Sequence, residues 1–212
     1  MRQYTGGPAI LEEGYTKFEC RWTPAKLPAL EQVAGLCIHR DRLHALGLIG
    51  VYEDGVGYGN LSVRFLGAGA DAFLISGTQT GHIPETSEEH YSLVQAYSIE
   101  ENWVECVGQL PASSESLTHA MLYQLCESIQ AVVHVHHHGF WENLLDRLPT
   151  TSPTAAYGTP QMALEIQRLW EESDLSAQRI LAMGGHEEGV ISFGESLHEA
   201  CETLLSYFET GS

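Results

Sequence analysis

Basic side chains are scarce in this 212-residue sequence: ten Lys and Arg stand against 28 Asp and Glu, a formal charge of −18. Proteins that read a nucleic-acid backbone neutralise its phosphates with many Lys and Arg, so the charge argues against DNA, RNA and anionic membranes as partners. Long apolar runs are missing as well. None approaches the roughly 20 residues that cross a bilayer, and the opening stretch MRQYTGGPAI lacks the basic-then-apolar plan of a signal peptide. Cytoplasmic placement is the expectation. The five cysteines (Cys20, Cys37, Cys106, Cys126, Cys201) are odd in number, scattered and never in a CxxC pair, which suggests neither a disulfide framework nor a cysteine zinc site. They are expected to be buried thiols. No internal repeat, low-complexity tract or linker divides the chain.

What is present suffices for one well-buried core, with 43% hydrophobic residues and 9% aromatics. Residues 1–28, with Gly6-Gly7-Pro8, Pro24 and Pro28, show no clear period and read as an N-terminal arm, and residues 29–212 read as a single domain. Helical spacing runs from Leu30 to about Gly47. After a Gly-rich bend come LSVRFL and AFLIS, short apolar segments that predict a strand hairpin. Tyr91–Tyr97 and Trp103–Val107 read as further strands. A helix is predicted from a Ser113 or Ser114 cap to about Ser128, with Glu115 in its first turn. The alternating β-branched run AVVHVHH follows as a strand. Helices are expected around Phe140–Arg147, Pro160–Glu172 and Ser196–Phe208, and strands around Arg179–Met183 and Val190–Phe193.

Histidine concentrates where the basic residues are absent. Of eleven histidines, seven (His82, His90, His119, His134, His136, His137, His138) lie between Phe65 and Asp146, an interval without a single Lys or Arg. An anionic ligand bound there would need positive charge from elsewhere, and a divalent cation held by imidazoles is the economical source. Residues two apart in a strand share a face, so His134 and His136 would present two imidazoles from a stiff backbone. Burying both without a shared partner costs several kcal/mol, which points to metal ligation. His137 and His138 are read as the start of the next loop or helix. In MGGHEEGVISFG, His186 and two acids sit in a glycine-flanked turn between strands, a position from which a third imidazole would reach the same ion, although a loop histidine alone is unremarkable. Glu115 is read either as a helix-start acid or as a carboxylate that binds metal or moves a proton, and it shares a helix face with His119. The turns GYGNLSVR and ISGTQTGH offer hydroxyl and backbone N–H donors to an anion.

In order along the chain, GNLSVR (59–64), SGTQTGH (76–82), PASSE with a following His (111–119), AVVHVHH (131–137), GTPQMALEI (158–166) and GHEEGVISFGESLHEA (185–200) resemble the class II aldolase/adducin family. The resemblance implies a three-layer α/β/α sandwich around a mostly antiparallel sheet, assembled as a homotetramer with sites between neighbouring subunits. It implies that His134, His136 and His186 are zinc ligands, with manganese or cobalt as other ions such a site accepts. Glu115 would be the acid/base, and Asn60, Thr80, Gly81, Ser113 and Ser114 would hold a substrate phosphate. Arg64 is the nearest basic residue in sequence to those turns. The expected function is zinc-dependent cleavage of a small ketose or ketose phosphate through a metal-stabilised enediolate. Epimerase or dehydratase chemistry on the same site, or a non-catalytic adducin-like role, are the alternatives. One departure stands out: the family usually has His-Gly at the third ligand, whereas here Glu187 and Glu188 separate His186 from Gly189.

Overall fold

The computed structural model describes residues 16–28, 30–65, 67 and 71–210. Its centre is an eight-stranded sheet in the order β1-β7-β6-β5-β4-β8-β10-β9. The strands are β1 (Glu19–Pro24), β4 (Asn60–Arg64), β5 (Phe73–Ser76), β6 (Tyr91–Ser98), β7 (Trp103–Gly108), β8 (Ala131–His136), β9 (Ile180–Ala182) and β10 (Gly189–Gly194). Every neighbouring pair is antiparallel except β1 with β7. A two-stranded ribbon, β2 (Gly50–Val51) with β3 (Gly57–Tyr58), stands apart from the sheet.

Alternation along the strands sorts the core into two faces. Phe73 and Ile75 of β5, Val132 of β8 and Ile191 of β10 pack with α2 (Ser116–Leu125) and α4 (Pro160–Glu172). Leu74, Val133, Val135 and Val190, one residue out of phase, pack with α1 (Glu31–Ala45), α3 (His138–Leu144) and α5 (Leu197–Thr210). The result is the expected α/β/α sandwich with a mostly antiparallel sheet. The period of two then fixes what matters for function: His134 and His136 share the face of Val132, toward α2, while Val133 and Val135, alternating with them, fill the opposite layer. β8 is buried along its whole length, as a strand covered on both faces must be.

Three sequence expectations need correction. The described part of the expected arm carries β1, an edge strand whose side chains are almost all exposed, so it has main-chain pairing without a hydrophobic period; residues 1–15 of that arm lie outside the described residues. The second helix starts at Ser116, with neither serine as a side-chain cap. Ser113 Oγ instead accepts the Glu115 N–H at 3.3 Å. The same helix ends at Leu125 because Cys126 is extended and Arg64 gathers the loose carbonyls there, donating to Tyr123 O at 2.7 Å, Ile129 O at 3.1 Å and Cys126 O at 3.4 Å. Arg64 is thus a helix cap, engaged away from the phosphate turns.

Candidate metal centre

Three segments meet at the end of β8. His134 and His136 come from that strand, the β9–β10 hairpin loop brings His186, and the residue just before α2 brings Glu115, every one of them buried. Nε2 of His136 lies 2.9 Å from Nε2 of His134 and 2.9 Å from Nε2 of His186. Glu115 Oε2 lies 2.6 Å from Nε2 of His134 and Oε1 lies 3.8 Å from Nε2 of His186. Asn60, paired with His134 across β4–β8, donates from Nδ2 to Glu115 Oε2 at 3.2 Å. Oε1 of Glu115 has no hydrogen-bond partner.

This donor set fits a divalent cation. His134 Nδ1 lies 3.2 Å from the Val190 carbonyl, which only accepts, so Nδ1 carries the proton and Nε2 is left to coordinate. Imidazole nitrogens aimed at one another across 2.9 Å, beside a carboxylate oxygen without a donor, repel unless positive charge sits among them. The three ring nitrogens fall within 4.8 Å of one another, and three imidazoles leave a metal open positions for substrate. His134, His136, His186 and, through its second oxygen, Glu115 would hold the ion.

The titration of the group follows from burial and charge. Burial alone pushes the Glu115 carboxyl up, but the His134 and His186 imidazoles beside it outweigh burial and bring it down to about 2. Burial pushes the His186 imidazole down to about 3, against the pull of Glu115, and burial with the neighbouring imidazoles drives His136 well below the ordinary histidine value. Both stay neutral, the form that ligates.

Next to the metal centre lies a second recess lined by Gly57, Asn60, Gly77 to Gly81, Ser113 and Ser114, so the expected anion-holding residues are brought together. Their parts differ. Thr80 Oγ1 is committed to the Gly77 carbonyl at 3.0 Å. A Cβ on Gly81 would stand 1.9 Å from the Gly50 carbonyl oxygen, so that residue is glycine to let two loops touch. Behind the recess runs a residue that sequence reasoning missed. Arg40 is 1% exposed and its guanidinium donates to the carbonyls of Thr80 at 2.8 Å, Gly81 at 3.3 Å and Ile83. Nothing local to α1 reports the carbonyls it meets. Tyr58 and Tyr157 were also missed; their rings stack on His136 and His186 at 5.5 and 4.5 Å and wall the centre. His137 caps α3, accepting the Phe140 N–H at 3.1 Å, and His138 opens that helix, as read.

Comparison with known proteins agrees with this architecture. Residues 53–210 match the family described as Class II Aldolase and Adducin N-terminal domain, and the chain belongs to that family. Among solved structures it resembles an L-fuculose 1-phosphate aldolase at 20% identity, covering 86% of this chain and 84% of that one, with a TM-score of 0.62. The L-fuculose-1-phosphate aldolase from Thermus thermophilus is similar at 22% identity over 84% of this chain and 90% of that one, with a TM-score of 0.60. A sugar-phosphate aldolase from Thermotoga maritima is similar at 15% identity over 85% and 92%, with a TM-score of 0.63. These identities speak for the fold. No curated protein matches the chain.

Proposed function

We propose that this protein is a metal-dependent aldehyde-lyase, with zinc as the ion, that cleaves a small ketose or ketose phosphate by a retro-aldol reaction. The observation that carries the reading is the convergence of three buried imidazoles on a buried carboxylate with one oxygen unpartnered. A divalent cation held there would supply Lewis-acid polarisation of the ketose carbonyl and offset the charge left when the C–C bond breaks. Glu115 is the group that moves the proton, and Asn60 keeps its carboxylate turned to the centre. Ser113, Ser114 and the turn Thr80–Gly81 form the recess in which a phosphate would sit, pinned from behind by Arg40. Tyr58 and Tyr157 exclude water from the flanks.

The test is aldehyde release from a panel of ketoses and ketose 1-phosphates by the zinc-loaded protein, with Glu115→Gln beside it. Glu115→Gln is expected to retain metal and lose roughly 10²- to 10⁴-fold in turnover; equal turnover in both would remove the assigned role. The same donors serve an epimerase or a dehydratase, and the product distinguishes them. Stoichiometric zinc without turnover on any sugar would favour the adducin-like alternative. A homotetramer and a cytoplasmic setting belong to this proposal too. Sedimentation velocity checks the assembly.

A further inference from the structure

The loop that delivers His186 runs through Glu187 and Glu188 before β10 begins, and Glu188 takes a left-handed backbone with φ of 68°, unfavourable for any residue with a Cβ. Its side chain is put to use. Glu188 Oε2 accepts the Tyr52 hydroxyl at 2.8 Å, and Oε1 lies 3.8 Å from Nδ1 of the exposed His138. Tyr52 Oη lies 2.7 Å from Nδ1 of His136. An ionised carboxylate only accepts, so the tyrosine proton goes to Glu188 and the tyrosine oxygen receives the Nδ1–H of His136. Neutral His136 is thereby held with its lone pair on Nε2, the atom that faces His134 and His186.

The β2–β3 ribbon exists in a form that serves this contact. Tyr52 closes its turn, with its N–H donating to Val56 O at 2.8 Å. Its ring packs on Tyr58 at 4.5 Å, and Tyr58 in turn stacks on His136. For His134 a main-chain carbonyl orients the ring; for His136 the task falls to side chains, one of them Glu188 from the loop that carries His186.

We propose that Tyr52 and Glu188 are positioning residues of the metal centre, a carboxylate–phenol–imidazole relay that fixes the His136 tautomer and strengthens Nε2 as a donor to a divalent cation. This rests on the metal-dependent reading above. The experiment titrates metal-free protein with Zn²⁺ against a chromophoric chelator, and reads the His136 tautomer from long-range ¹H–¹⁵N imidazole spectra of the same metal-free protein. Tyr52→Phe keeps the ring on Tyr58 and is expected to lower Zn²⁺ affinity roughly 10- to 100-fold, with the single Nδ1–H tautomer of His136 giving way to a mixture. Glu188→Gln retains an acceptor for the tyrosine and removes the charge, so the tautomer should persist while affinity falls by less. Wild-type affinity in both variants with an unchanged His136 spectrum overturns the relay. If Tyr52→Phe does not fold, Glu188→Gln decides: unchanged affinity overturns the relay, and a loss with the tautomer kept supports it. Wild-type protein that binds Zn²⁺ no better than His136→Ala overturns the metal reading itself, and the relay with it.

Discussion

A Cβ on Gly189 would stand 2.9 Å from Cδ2 of His186 and 3.0 Å from its carbonyl oxygen, so the residue after Glu188 must lack a side chain for the third imidazole to keep its seat. Gly189→Ala is therefore expected to lower Zn²⁺ affinity by roughly tenfold or more, measured by chelator competition. His119 sits on the α2 face behind Glu115, fully buried, with Nδ1 2.7 Å from Ser62 Oγ, which also meets the Tyr123 hydroxyl at 2.7 Å. Burial pushes its imidazole from 6.5 down to about 3, Glu115 opposing. A histidine depressed in the fold is neutral there while the unfolded chain takes up a proton. Stability is thus fully present above pH 6.5 and falls as pH drops from 6.5 toward 3. Denaturant melts of metal-free protein across that range should show the decline, and His119→Gln should flatten part of it.

Elements decide where those residues end up. The carbonyl end of α2 is closed by Arg64 from β4, a long-range cap, so Arg64→Ala should cost about 1–3 kcal/mol, read as a lower denaturation midpoint, while the metal centre at the other end of the helix keeps its ion. This separation of ends was not legible in the sequence, where Arg64 simply follows the GNLSV motif. Legible were β8, from its alternation, and α4, expected around Pro160–Glu172 and found over those same residues. The pairing of His134 with His136 on one face came from the period of two, and His186 from its glycine-flanked turn. The contributions of Tyr52, Arg40 and Tyr157 were not legible, because each acts through a contact far along the chain, with no local signature of its own. β1 escaped for the opposite reason: an exposed edge strand buries too little to leave a pattern.

At the scale of the whole molecule, a ligand that binds the native state alone stabilises it by mass action. With Zn²⁺ at about 100 times its dissociation constant the gain is about 2.7 kcal/mol, and for a chain of this size each kcal/mol moves the melting midpoint by about 2–4 °C. Chelation should lower the melting temperature by roughly 5–11 °C on that arithmetic, and His136→Ala should melt at the chelated value with or without zinc; calorimetry checks both. None of the described helices is long and apolar enough to cross a membrane. The groups that would hold the ion are set by the start of α2, β8 and the β9–β10 loop, and the last of these is also last in the chain. During synthesis, Asn60, Glu115, His134 and His136 emerge while His186 is still to be made, so a nascent chain offers only a bidentate imidazole grip. A grip by all three imidazoles exists only once the β9–β10 loop has closed against β8, so an ion held by all three would be taken up by the folded chain.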